Sequence, residues 1–256
     1  MTVDEGTYTV KVTPPAGSGF GESVSPGQVI SGETNLDFVL VPAGNISLTG
    51  KVLDPFGNGI RSQRVYLEPP GSNPSVQSLT NSSGTYTFSV APGSYKVIIN
   101  GDNSNTVNAP GSYYLQSHSS LVFTQSTEMD INLPSKRVTV HVQDPAGSAV
   151  SGVNLRTNAP YNYSQDLGSF AAQGYSQYSN PTTTDSSGNA TLWLFPTTSN
   201  ILYTISASPP PGSALSVTNV PGVSVSADKV LTITLESPIS LTGKVLDPFG
   251  NGIRSQ

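Results

Sequence analysis

The sequence predicts an all-β protein made of tandem antiparallel seven-stranded β-sandwich domains, and three observations lead there. Apolar residues fall in short alternating runs, as in RVTVHVQ (137–143), where Val138, Val140 and Val142 share one face and Thr139, His141 and Gln143 the other. The runs are separated by turn signals, with 25 Gly and 21 Pro in 256 residues, and no stretch carries a helical period. The chain also repeats itself: SLTGKVLDPFGNGIRSQ stands at 47–63 and, without one substitution, at 240–256.

The second copy begins 193 residues after the first, at Ser240 against Ser47, and this period divides in two. NSSGTYTFSV (81–90) has a counterpart in DSSGNATLWL (185–194), and KVLDPFGNGIRSQRVYL (51–67) is echoed by HVQDPAGSAVSGVNL (141–155). Residues 45–135 are therefore expected to form an A-type sandwich and 136–237 a B-type sandwich, each of ordinary small-domain size. TYTVKVTPPAGSGF (7–20) reads like LYTISASPPPGSAL (202–215). Residues 1–44 are thus expected to be the C-terminal part of a preceding B-type sandwich, and 238–256 the first strand and turn of a following A-type one.

Taken in order, the head should end in a closing strand with Leu36, Phe38 and Leu40 inward. A opens with a strand through Lys51, Val52 and Leu53, then turns at DPFGNG, where Pro sets φ and Gly accepts positive φ. A strand with Val65 and Leu67 follows. TYTFSV turns Tyr86, Phe88 and Val90 inward, SYKVII does the same with Tyr95, Val97 and Ile99, and a closing strand carries Ile131 and Leu133. B repeats the order, opening with Val138, Val140 and Val142, continuing with Ala190, Leu192 and Leu194, and closing with Leu231, Ile233 and Leu235. Short strands at this density, divided by turns, are the pattern of a sandwich.

Three motifs in A carry a resemblance: G-x-V-x-D-x-x-G (Gly50, Val52, Asp54, Gly57), S-S-G-x-Y-x-F (82–88) and P-G-x-Y-x-V (92–97). In this order they resemble the carboxypeptidase regulatory-like family of Ig-like, prealbumin-like (transthyretin-like) sandwiches, relatives of the Cna-B repeats of bacterial or archaeal surface proteins. B departs from the pattern, with PTTSNILY (196–203) in place of the P-G-x-Y turn and a long insertion around 156–181. The resemblance implies a fold, while such modules serve as spacers, adhesin stalks and enzyme appendages alike. It also raises the self-formed Lys–Asn isopeptide of Cna-B relatives. Lys51 neighbours the inward Val52 and so should face solvent, and the equivalent B position is His141, so no such bond is expected.

Composition narrows the function. With no cysteine, disulfides and thiolate metal sites are excluded. A net charge of −5 without a basic run argues against nucleic acid or an anionic membrane as partner. No apolar stretch is long enough for membrane insertion, and any export signal is expected outside this window. The two histidines, His118 in a loop and His141 on an outward face, belong to no catalytic motif, so neither enzymatic activity nor a cofactor is expected. Acidic and amide residues at 54–58 and 102–105 could surround Ca²⁺, yet Asp and Asn are also the ordinary turn formers. Sequons at Asn45, Asn81, Asn162 and Asn189 permit glycosylation without arguing for it.

The aromatic residues stand out more. The alternation that buries Leu192 and Leu194 should leave Trp193 and Phe195 outward, where A has only Ser89 and Ala91. The insertion in B adds Tyr161, Tyr163, Tyr175 and Tyr178, and the long loop of A adds Tyr113 and Tyr114. These eight residues are the interface candidates. They could join neighbouring domains or chains, stack on a glycan, or let the insertion fold over its own sheet and cover Trp193. Identity over the whole of 47–63 exceeds what folding needs, because exposed strand positions tolerate substitution, and it points to duplication within a tandem array. The expectation is an extracellular structural protein, a filament, stalk or surface layer of copies of itself, with a carbohydrate-binding or adhesin module as the alternative. A C-terminal strand donated to a neighbouring copy is the other way to read the repeated segment.

Overall fold

The computed structural model describes residues 2–15, 18–71, 75–101, 108–158, 163–177, 182–198, 201–239 and 242–253. The first part of the chain holds β1 (Gly6–Val12) and β2 (Ser23–Ile30). Strands β3 (Ile46–Leu53), β4 (Arg64–Glu68), β5 (Val76–Leu79), β6 (Thr85–Val90), β7 (Gly93–Gly101), β8 (Ser112–Ser117), β9 (Leu121–Phe123), β10 (Thr127–Glu128) and β11 (Ile131–Asn132) make the A sandwich. The rest are β12 (Lys136–Gln143), β13 (Asn154–Thr157), β14 (Tyr163–Asp166), β15 (Ala171–Gln177), β16 (Thr182–Thr183), β17 (Asn189–Leu194), β18 (Tyr203–Ser208), β19 (Thr218–Val223) and β20 (Lys229–Thr234).

In A, β3 lies between β6, antiparallel from Ile46↔Val90 to Lys51↔Thr85, and β10 and β11, which run parallel to it. The facing sheet is ordered β5-β4-β7-β8, with β9 paired to the first part of β7. Alternation decides the core: Leu48 and Val52 on one sheet and Val65, Leu67, Val97, Ile99 and Leu115 on the other are fully buried. Each such aliphatic side chain contributes roughly 1.5–3 kcal/mol relative to exposure.

B repeats this plan with β17-β12-β20 facing β16-β13-β18-β19. Val138, Val140, Val142, Leu155, Leu192, Leu194 and Ile205 form its centre, all fully buried. The sandwiches are antiparallel except on one side of each opening strand. Opening and closing strands lie side by side and run in the same direction, β3 with β10 and β11 and β12 with β20, because the intervening connections carry the chain back to its starting edge.

The turn after each opening strand is built on one carboxylate. Asp54 Oδ1 accepts from the N–H groups of Phe56 and Asn58 at 2.8 and 2.9 Å, and Asp144 Oδ1 accepts from Ala146 and Ser148 at 2.9 and 2.8 Å.

Two expectations need correction. Residues 33–41, where Leu36, Phe38 and Leu40 were to close a sheet, contain no strand. A closing strand in A or B forms by pairing with an opening strand, and β1 and β2 pair only with each other. The expected strand at 242–245 is likewise absent, with Val245 71% exposed.

Candidate functional site

The insertion in B leaves its own sandwich. Beyond β13 it forms the hairpin β14–β15, and β15 pairs antiparallel with β8 of A from Ala172↔Ser117 to Gln177↔Ser112. The A sheet thereby grows to the order β14-β15-β8-β7-β4-β5. The sequence AAQGYSQ suits this position: Ala172 and Ser176 are buried while Ala171 and Gln173 are exposed, so the small residues occupy the inward set. Gly174 sits at the tightest point. A Cβ there would lie 1.8 Å from the carbonyl oxygen of Tyr114, so only glycine permits this pairing.

The turn of the hairpin meets the other sheet of A. Asn132 N–H donates to Leu167 O at 2.9 Å, Ile131 bridges to Gly168, and Ser169 Oγ donates to Asp130 O. Leu167, Phe170 and Ala172 are buried there. The hairpin therefore spans the open side of A from one sheet to the other.

Polar and aromatic contacts fill the seam. Tyr113 is buried, its hydroxyl donates to Gln63 Oε1, and its ring meets that of Phe195 edge-on at 5.4 Å between centroids. Burial pushes the Tyr113 phenol far above its ordinary value, so it remains a donor. Ser176 Oγ bonds the hydroxyl of Tyr203, which also reaches Phe195 O at 3.2 Å. Gln165 Nε2 donates to Pro196 O at 2.8 Å, and His118 Nε2 lies 2.9 Å from Ser164 Oγ. Tyr114 and Tyr175 stack across the β8–β15 pair, 6.0 Å apart and 14° from parallel. Burial, with Glu68 and Tyr175 nearby, raises the Tyr114 phenol. At a separate point, the half-buried Trp193 receives the ring of Phe56, from the first turn of A, edge-on at 6.0 Å.

The candidates therefore separate. Phe195 is fully buried, not outward, because the chain leaves the strand after Leu194 and the ring turns into the seam against Tyr113. Tyr113 and Tyr114 are strand residues of β8 rather than loop residues, and the inward one is buried. The insertion does not fold over its own sheet, since its strands pair with A. Tyr163 belongs to β14, and Tyr161 and Tyr178 lie outside the described residues, as does the 102–105 stretch. The 54–58 stretch is not free to ligate a cation. The Asp54 carboxylate is occupied by donors from Phe56, Asn58 and Asn108. Burial raises its pKa, but the donors from Asn108 and Asn58 outweigh it and hold the group below the ordinary value. Among the described residues no three His, Asp or Glu converge as a metal site, and no helix is long and apolar enough to cross a membrane.

What reading the sequence missed was the partner of the insertion. Its Ala-x-Gly-x-Ser alternation and mid-strand glycine signalled a strand with a close backbone neighbour, but pairing between sandwiches is a long-range event that no local pattern names.

The geometry of A, an opening strand between antiparallel and parallel neighbours and a turn held by Asp54, spans the three motifs Gly50–Gly57, 82–88 and 92–97. Residues 47–134 match the carboxypeptidase regulatory-like domain family. A search of curated proteins yields no match. Among solved structures, the chain is similar to the shaft pilin SpaA of Lactobacillus rhamnosus GG, at 13% identity over 78% of this chain and 99% of that one with a TM-score of 0.34. A putative cell adhesion protein of Bacteroides uniformis aligns at 9% identity over 75% and 93%, with a TM-score of 0.38. A streptococcal ancillary pilin aligns at 13% over 75% and 68%, with a TM-score of 0.29. At these scores nothing known of those proteins transfers to this chain.

Proposed function

We propose that this chain is part of an extracellular or cell-surface structural protein, in which A and B sandwiches alternate in tandem to build a filament, stalk or surface layer. The observation that carries the reading is the unaltered return of 47–63 at 240–256, after one A and one B sandwich. The 1–44 segment supports it, since its hairpin β1–β2 corresponds in sequence to β18–β19 of B. A strand donated from the tail fits less well. It would supply an A-type opening strand, whereas a B-type head also needs counterparts of β13, β16 and β17. Partner copies and lateral contacts through the exposed part of Trp193 belong to the same proposal.

The test is the mass of the native protein under fully denaturing conditions, together with electron microscopy of the cell surface. Several A–B lengths in one chain support the array. A native chain of one such length, with no ordered assembly, overturns it.

One observation favours a second reading, glycan binding. The widened A sheet presents Tyr66, Tyr114 and Tyr175 together with Gln116 and Gln173 on its outer face, a combination able to stack on and hydrogen-bond sugars. Retardation of the chain in polysaccharide gels, lost in Tyr175→Ala, would support it; no retardation by any polysaccharide removes it.

A further inference from the structure

We propose that the β14–β15 hairpin is a clasp that joins A and B into one folding and load-bearing unit. The clasp does not rest on the tandem reading above.

The argument starts from what A would lack without the hairpin. Strand β8 would become a sheet edge with unpaired backbone groups, a state that folded proteins avoid. Leu167, Phe170 and Ala172, now buried along the open side of the sandwich, would be withdrawn from it. Across the same seam, Tyr113 of β8 packs its ring against the buried Phe195 of B. On the B side, Tyr203, itself fully buried in β18, would lose the Ser176 hydroxyl. Each sandwich thus contributes to the other's interior, and opening one exposes surface of the other. That is the physical content of cooperative unfolding.

Gly174→Val tests this in the full chain, because its side chain collides with Tyr114 O at the β8–β15 pairing. Gln173→Val, an exposed neighbour on the same strand, serves as control. Hydrogen exchange is read by mass spectrometry on β7 for A, β18 for B and β8 with β15 for the seam. The expected result is a loss of protection of about tenfold or more in β8 and β15 of Gly174→Val, a parallel fall in β7, and no change in Gln173→Val. Unchanged β7 protection after the seam has opened overturns the proposal. A second measurement needs no variant: urea unfolding of the wild-type chain followed by β18 exchange for B and by β7 exchange for A. Coincident midpoints are expected, and separated midpoints overturn the clasp. A native chain of a single A–B length would leave both of these results standing.

Discussion

The segment at 47–63 and its copy at 240–256 have one sequence and two structures. In the first, Ile46–Leu53 is strand β3, the centre of a sheet; in the second, residues 242–245 form no strand. The turn, however, is the same in both. Gly57 N–H donates to Asp54 O at 3.0 Å and Gly250 N–H to Asp247 O at 2.9 Å. Ile60 N–H reaches Val52 O and Ile253 N–H reaches Val245 O, each at 2.8 Å. Asn58 Nδ2 and Asn251 Nδ2 donate to the matching Asp Oδ2 at 3.1 and 3.0 Å, and Gly57 and Gly250 have φ of 81° and 86°. The turn closes on itself within a few residues, whereas a strand exists only where another strand satisfies its backbone.

The largest way to break the symmetry is at the glycines. A Cβ on Gly50 would lie 1.9 Å from Met129 O, while nothing lies within 4 Å of the corresponding position on Gly243. Gly50→Ala should destabilise A by about 3 kcal/mol, at the upper end of overpacking costs, and Gly243→Ala should change nothing measurable in this chain. Thermal unfolding of the two variants checks it. In a chain extended by a further A unit, Gly243→Ala should become as damaging as Gly50→Ala.

Next come the valines. Val52 is 0% exposed and Val245 71% exposed, so Val52→Ala should cost about 2 kcal/mol in urea titration and Val245→Ala within about 0.5 kcal/mol of zero. Equal effects would mean that 242–253 is packed in solution.

The acidic residues sharpen the comparison further. Asp54 and Asp247 are both held below the ordinary carboxylate value, Asp247 mainly by its bonds from Asn251. Only Asp54 also binds Asn108, at 2.8 Å, and thereby ties the turn to the chain leading into β8. A depressed folded-state value means that the stabilisation is present above the unfolded value of about 3.9 and is lost as pH falls through the folded one. The melting temperature of the wild type should therefore drop more steeply below about pH 4 than that of Asp54→Asn. Asp54→Asn should itself lower stability near neutral pH by about 1–2 kcal/mol. Parallel pH profiles for the two would remove Asp54 as the cause.

The smallest effect concerns the turn's aromatic residue. Phe56 meets Trp193, while Phe249 is 89% exposed. Phe56→Ala should shift Trp193 emission to the red and cost about 1 kcal/mol, and Phe249→Ala should do neither.

Much of the fold was legible in the sequence. The alternation in RVTVHVQ, TYTFSV and SYKVII names the buried residues of β12, β6 and β7 because side chains on a strand alternate whatever the partner. The interface candidates were less so. Phe195 follows the last residue of β17, where alternation no longer applies, and its burial depends on Tyr113, distant in the chain.

By itself, then, the sequence determined the alternating cores, the Asp-centred turns and the repeat, all set by interactions within a few residues or by the period of the extended backbone. The tertiary structure alone decided that the A sheet receives β14–β15 and that Phe195 is buried against Tyr113. Those choices depend on backbone groups brought together from far apart in the chain, and a strand's own residues do not specify where its partner comes from.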